Sequence, residues 1–337
     1  MIRRDIRSFF IWSRSSQIPL YMTPVYIILG VLIAGEKPEL HGFLMVFAVR
    51  LFYLGVMWGQ VPGFSGMMPH PLISIVILSS EIFSALYALI FPESLVWQIT
   101  LWIGSIAHVI QYMRRGFGTT MRRAPNIIVM AGLILALTTP FSGLLGVLAF
   151  PLASVSSLLL RADPTMRKEK MDPTRILIYT AIFVISWVLA IITRYNNLIL
   201  LPITALIFFI PKIGGRDIYR LGTSVSKIIG FLSFPISLIA PWGVSFHLAM
   251  IGFLGVTMIS FCTPLLIPGI IWRENPKLLP LESIILVGVM ATSAILRSLG
   301  QSIHIPILSA LSGILVFLVA LYYVFRILRM PSVPVKL

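Results

Sequence analysis

The sequence predicts an all-α integral membrane protein of about twelve transmembrane helices, from its composition, its apolar runs and the placement of its charges. Hydrophobic residues make up 58% of the 337 residues and charged residues 11%, with a mean hydropathy of +0.98. Soluble domains do not reach such values. Glycine and proline divide the chain into apolar runs close to the length of about 20 helical residues that one crossing needs. The twelve runs are 19–35, 41–62, 72–91, 94–112, 125–141, 143–161, 175–193, 195–211, 222–241, 245–268, 281–299 and 303–328.

Basic residues indicate the topology of these runs, because cytoplasmic loops collect Lys and Arg. With the amino terminus placed inside, all but four of the 26 basic residues fall in the inner segments. The exceptions are Lys37 and Arg194 in outer loops, and Arg50 and Arg297 within helices. An even number of helices with both termini in the cytoplasm follows.

The predicted organisation is a single multi-pass domain in the cell membrane with short cytoplasmic ends. We expect an amphipathic amino-terminal segment at 1–18, one transmembrane domain of twelve helices at 19–329, and a cytoplasmic tail at 330–337. The net charge of +15 then reflects topology and contact with anionic lipid headgroups. The basic residues are scattered over six short segments, so no nucleic-acid partner is predicted.

Several kinds of chemistry are excluded by residue usage. A single cysteine, Cys262, rules out an intrachain disulfide and an iron–sulfur cluster. The sequence contains no phosphate-binding GxxxxGKS loop, no HExxH zinc motif and no Ser/His/Asp constellation. No soluble domain is predicted between the helices, so whatever the protein does must take place among its helices or at their ends.

Two histidines share a spacing that suggests a repeat. His41 is followed 21 residues later by Pro62-Gly63, and His247 is followed 21 residues later by Pro268-Gly269. The second and tenth helices would then be related copies eight crossings apart, which fits three arcs of four helices. The sixth run, from Gly143 to Pro164, keeps the interval with glycine in the histidine position.

These residues resemble the catalytic subunit of haem–copper oxidases, which has twelve helices in three arcs of four. The stretch H41-G-F-L-M-V-F is similar to the second-helix motif of that family, and S245-F-H247 to its tenth-helix His-Phe-His. The resemblance implies that His41 and His247 are the axial ligands of one low-spin haem b. The position of the high-spin haem ligand is Ser245.

The chain also departs from that family in ways that limit its expected activity. The copper-binding histidines of the sixth and seventh helices are absent, so the resemblance implies no copper and no oxygen-reducing centre. The run A294-I-L-R297 is similar to the NnrS family, membrane proteins associated with haem, copper and nitric oxide stress. The implied role is electron transfer or a redox or nitric oxide response, with a quinol or a redox protein as electron donor.

The haem interpretation is also chemically reasonable for these residues. Neutral imidazole is a common iron ligand, and two histidines at equal depth would fill both axial positions of one haem. The alternative interpretation gives the histidines no ligand role and places each of them at the membrane interface, where its polar tip meets water. By the same resemblance Arg297 pairs with a haem propionate. Its planar guanidinium is suited to this role, because it can donate two parallel hydrogen bonds to one carboxylate. Its alternative is a side chain that reaches the interface.

Arg50 is predicted to form an ion pair inside the membrane. It lies about 13 Å below the outer end of the second helix, at 1.5 Å per residue. A lone cation is costly at that depth. Glu81 lies at a similar depth in the antiparallel third helix. We expect an Arg50–Glu81 pair that faces the bundle interior and acts as a clamp between helices or as a step in a proton or anion path.

Two other function classes stay open. The chain could be a multi-pass transporter, or a non-catalytic scaffold subunit that binds no haem. The loop between the second and third helices reads GFSGMMPHP, which lacks the Gly/Asp/Arg signature of major facilitator transporters.

Overall fold

A computed structural model describes most of the chain. The described residues are 15–59, 69–114, 120–162, 172–211, 213, 218–266 and 280–329. Residues 1–14 of the predicted amino-terminal segment, the tail at 330–337, both Pro-Gly pairs and Pro164 lie outside them. Every regular element in the described ranges is helical, and these ranges contain no strand.

Twelve helical segments follow one another in the described ranges, one for each predicted apolar run. We number their α-helical parts α1 Gln17–Ile33, α2 Pro38–Gly59, α3 Pro71–Ile90, α4 Leu95–Met113, α5 Thr120–Leu135, α6 Leu144–Ala162, α7 Pro173–Thr193, α8 Leu201–Phe209, α9 Ile218–Ser237, α10 Trp242–His247, α11 Pro280–Ser302 and α12 Pro306–Arg329.

Three of these segments include other helical turns. A 3₁₀ turn and a short helix, Thr139–Ser142, extend α5, and a 3₁₀ turn over Asn196–Leu200 precedes α8. The α10 segment continues as wider π-helical turns over Leu248–Gly255 and Met258–Leu266. Gly143, with φ of +57°, makes the turn into α6, a conformation that glycine adopts without strain.

Eight of the described helices are long and apolar enough to cross a membrane. This confirms the predicted class, an all-α membrane protein. Four predicted runs do not meet that standard. The α1 helix and the α8 segment are short, whereas α4 and α9 have the length but carry more polar side chains. The count of twelve crossings therefore stays a prediction.

The described chain divides into two compact units. The first contains α1 to α5 and α6 as far as Ser157, and the second contains the rest of α6, α7 to α11 and α12 as far as Arg326. The predicted single domain at 19–329 covers both units.

In the first unit, small residues let the helices approach closely. A Cβ on Gly55 of α2 would lie 2.5 Å from Leu20 Cγ of α1, and one on Gly132 of α5 would overlap the Ala153 methyl group of α6. The α2 helix is largely buried, whereas α3 exposes one apolar face, as expected for a helix that meets lipid on one side.

In the second unit, the α10 segment is the largely buried element and α12 exposes most of its surface. A Cβ on Gly230 of α9 would lie 2.8 Å from the Phe253 ring, so α9 passes close to the π-helical turns. The Ser226 and Thr257 hydroxyls, 2.6 Å apart, join the same two elements. Hydroxyls and glycines in place of large side chains are typical of helix contacts in membranes.

Candidate functional site

Arg50 and Glu81 form a buried pair in the first unit. Arg50 Nε lies 2.7 Å from Glu81 Oε2, and Arg50 Nη2 lies 2.6 Å from Glu81 Oε1, so the guanidinium donates to both carboxylate oxygens. The two residues are only 1% and 2% exposed. The structure thus brings together the two residues that the sequence predicted as a pair, and buries both inside the first unit.

Three further groups complete the environment of Arg50. Nη2 donates to Ser105 Oγ of α4 at 2.9 Å, and Nη1 donates to the Val147 carbonyl of α6 at 3.1 Å. The Phe150 ring lies 5.4 Å from the guanidinium carbon, within range of a cation–π contact. Side chains or carbonyls from α3, α4 and α6 therefore converge on the Arg50 cation of α2.

The close approach of α3 and α4 depends on Gly104. A Cβ at this position would lie 2.7 Å from Ser80 Oγ and 2.9 Å from Glu81 Cγ. Glycine leaves this space open, so the neighbouring Ser105 can reach the ion pair. The geometry of the cluster is thus set by a small residue beside it as well as by its own polar groups.

His108 continues the polar face of α4 one turn beyond Ser105. Its side chain is fully buried, with the Trp58, Tyr112 and Phe150 rings at centroid distances of 5.0, 5.4 and 5.5 Å. Neither of its ring nitrogens has a hydrogen-bond partner among the described residues. A buried imidazole without a partner is costly, because its hydration is lost without replacement.

Gln111 carries the same face to the end of α4. Its side-chain oxygen accepts the His70 backbone N–H at 3.1 Å, and its amide nitrogen has no hydrogen-bond partner within the part of the chain that the structure describes. The Nδ1 atom of His70 is likewise buried without such a partner. We call this end of α3 and α4 the His70 end, and the opposite end, at the 91–94 loop, the Pro92 end.

Aromatic side chains separate the ion pair from the Pro92 end. The Trp97 ring of α4 meets Phe43 and Phe47 of α2 edge to face, at 5.9 and 5.7 Å, and its Nε1 donates to the Pro92 carbonyl at 2.8 Å. The polar groups beside Arg50 therefore extend along α4 toward the His70 end.

His41 lies in the first turn of α2 and is partly buried. Its Nδ1 lies 2.8 Å from the Gly30 carbonyl of α1, and a carbonyl can only accept, so Nδ1 carries the proton. The lone pair is then on Nε2, the nitrogen that a histidine with this arrangement offers to a metal. Gly30 lies where α1 and α2 approach closely, because a Cβ there would lie 3.0 Å from Met45 Sδ of α2.

His247 ends the α-helical part of the α10 segment in the second unit. Its Nδ1 lies 2.6 Å from the Gly243 carbonyl one turn earlier, which fixes the same tautomer as in His41. The residues that follow form π-helical turns, which occur often at functional sites. Ser245, fully buried, has a hydroxyl without a hydrogen-bond partner among the described residues.

Arg297 of α11 lies level with His247. A Cβ on Gly243 would lie 3.4 Å from Gln301 Nε2, and one on Gly252 would lie 3.3 Å from the Ala294 methyl group. The numbering rises along one helix as it falls along the other, so the two helices are antiparallel and these contacts bracket His247 and Arg297. His247 follows Gly243 by four residues, and Arg297 precedes Gln301 by four residues. Each of the two is therefore one helical turn from the Gly243–Gln301 contact, on the same face of its helix.

Arg297 is only partly buried and forms no hydrogen bond or ion pair with any residue that the structure describes. An imidazole and a guanidinium therefore lie at the same level of two adjacent helices in the second unit. His41 belongs to the first unit.

The chain matches no protein-family model, no curated protein and no solved structure. Its function is therefore inferred from its own residues.

One set of polar residues in the structure was not predicted as a site from the sequence. Ser105, His108 and Gln111 are spaced three residues apart on α4 and share one helix face, which is buried against α2 and α3. That spacing was visible in the sequence. The burial of this face was not, because α4 also carries apolar side chains on the face that it exposes.

Proposed function

We propose that this chain is a membrane haem protein that resembles the haem–copper oxidase core and the NnrS family. His41 and His247 would hold one haem b. The observation that carries the proposal is the position of Arg297, level with His247 on the neighbouring antiparallel helix. A haem needs an axial ligand for its iron and cations for its propionates, and this pair of residues offers both.

The two histidines fit the role of axial ligands. In each ring Nδ1 donates to a backbone carbonyl, and such a contact orients a metal-ligating histidine and raises the basicity of its Nε2. Haem supplies one-electron redox chemistry when it is bound. With both axial positions filled by histidine, the role is electron transfer or a redox or nitric oxide response rather than oxygen reduction. A quinol or a redox protein would be the electron donor.

A reduced-minus-oxidised absorption spectrum tests the proposal. We expect protein purified from haem-supplied cells to show sharp low-spin bands, and expect the double variant His41→Ala, His247→Ala to lose them completely. His304→Ala is the matched control, because His304 lies in the exposed turn between α11 and α12. A folded wild-type protein without haem would refute the proposal, and so would bands that persist in the double variant.

The same spectra, recorded during a redox titration, test Arg297. Arg297→Gln should keep the bands and lower the midpoint potential by about 50 mV, equivalent to about 1 kcal/mol of lost charge interaction. A nearby cation favours the reduced form, which carries one positive charge fewer. Arg194→Gln, an exposed arginine in the same unit, is expected to leave the potential unchanged.

We also propose that all twelve helical segments cross the cell membrane, in three arcs of four, with both termini in the cytoplasm. The positions of the helical segments and the bias of basic residues toward one side support this. In a Cys262→Ser background, a membrane-impermeant maleimide added to intact cells should label Lys37→Cys and leave Arg114→Cys unlabelled. Both positions are exposed. The opposite labelling pattern would reverse the topology.

A transporter remains the second candidate, and the buried Arg50–Glu81 pair favours it. Ionisable residues inside a membrane often mark the path of an ion or a substrate. A haem-free, folded protein in the spectral test would make transport the next activity to measure.

A further inference from the structure

The first unit contains a buried polar line that the haem proposal does not use. It begins at the Arg50–Glu81 pair, continues through Ser105 and His108, and ends at Gln111, which contacts the His70 backbone. Ser105, His108 and Gln111 are all fully buried. The line reaches the His70 end, and the contacting rings of Phe43, Phe47 and Trp97 lie toward the Pro92 end.

The two ring nitrogens of His108 show that this polar line is more than an ion pair that holds two helices together. One nitrogen of a neutral imidazole is a donor and the other an acceptor, and neither has a partner among the described residues. The Gln111 amide nitrogen, one turn along the same face, has none either. Buried polar groups in this state are usually satisfied by internal water.

The charges around His108 come from several helices. Arg50 of α2 and Glu81 of α3 lie on one side of it, Tyr112 stacks on its ring, and α6 contributes the Phe150 ring. Arg50 and Glu81 form a bidentate ion pair, in which the positive charge of one is opposed by the negative charge of the other. The imidazole of His108 therefore lies among aromatic rings, with the paired charges of Arg50 and Glu81 as the charged groups nearest to it along the line.

We propose that His108 is a hydrated proton-exchange site within the membrane domain, open only to the His70 end. Water molecules bridge its ring to Gln111 on one side and to the Ser105–Arg50–Glu81 cluster on the other. Protons enter and leave past Gln111 and His70, and the aromatic layer of Phe43, Phe47 and Trp97 blocks the Pro92 end. The ligand of this site is water and the proton that it carries. The site does not require haem.

The test uses full-length protein labelled with ¹⁵N-histidine in lipid nanodiscs. The chain has five histidines, and His108→Gln identifies the His108 ring signals by their loss. We expect the His108 ring N–H to exchange with water within milliseconds, although the side chain is fully buried. An N–H that stays unexchanged for hours would show a dry imidazole and overturn the proposal.

Two matched variants determine the direction of access. Gln111→Leu should slow the exchange about tenfold, the factor that corresponds to about 1.4 kcal/mol and to the loss of one hydrogen-bonding link. Gln98→Leu makes the same change on the same helix near the Pro92 end, and should leave the rate unchanged. If Gln98→Leu slows the exchange as much as Gln111→Leu, the proposed one-sided access is wrong. The signals of the other four histidines report whether each variant is folded.

Discussion

Glu81→Ala should destabilise the protein by about 3 to 5 kcal/mol, because it leaves the Arg50 cation buried without its carboxylate. The cation is 1% exposed and, among the described residues, would keep Ser105 Oγ, the Val147 carbonyl and the Phe150 ring as partners. Glu81→Gln should cost less, since its amide oxygen still accepts one hydrogen bond from the guanidinium. Thermal aggregation in detergent measures the loss, with Glu93→Ala at an exposed position as the control.

A double variant separates the charge effect from the packing effect. Arg50→Met combined with Glu81→Met removes both charges and keeps side-chain volume, and replacing a buried pair in this way is often close to neutral. We expect it to be more stable than Glu81→Ala alone. If Glu81→Ala is as stable as the wild type, burial of the Arg50 cation does not depend on Glu81, and the pair is not a clamp.

Gly132→Ala should cost about 3 kcal/mol, at the upper end of the range for an overpacked core. The new methyl group would overlap Ala153 Cβ and would lie 2.7 Å from the Ala149 carbonyl oxygen. Neither atom belongs to a flexible side chain, so α5 and α6 would have to move apart.

Gly288→Ala is the matched control for this change. Gly288 lies on the exposed face of α11, and a Cβ there has no atom within 4 Å among its surroundings. Alanine is the better helix former, so this variant should be unchanged or more stable by up to about 1 kcal/mol. Melting curves of the two variants in the same detergent make the comparison, and equal stabilities would mean that α5 and α6 are not in close contact.

Helix positions were largely predictable from the sequence, because apolar runs and the Gly and Pro residues between them are local signals. The turn at Gly143 is an example, since its positive φ is a conformation that glycine accepts. The α8 segment was less predictable. Its apolar run suggested one helix, but Pro202 stands at the start of α8 and five residues before it form a 3₁₀ turn.

The candidate site was predictable only in part. Counting residues from the helix ends was sufficient to match Arg50 with Glu81, because both lie on uninterrupted α-helices that run in opposite directions. The burial of His108 depends on which face of α4 meets α2 and α3, and the composition of α4 alone does not decide that. The level of Arg297 relative to His247 depends on the register between α10 and α11, which is a tertiary property.

The π-helical turns after His247 affect how this segment would respond to changes in chain length. Each π-type hydrogen bond closes a loop that holds one residue more than the corresponding α-helical loop. A chain with one residue deleted between Leu248 and Gly255 could return a turn to the α form and keep both ends in place. The α2 helix that carries His41 has no wider turn from which a residue can be removed, since it is α-helical from Pro38 to Gly59. A single-residue deletion should therefore be tolerated after His247 and rejected after His41.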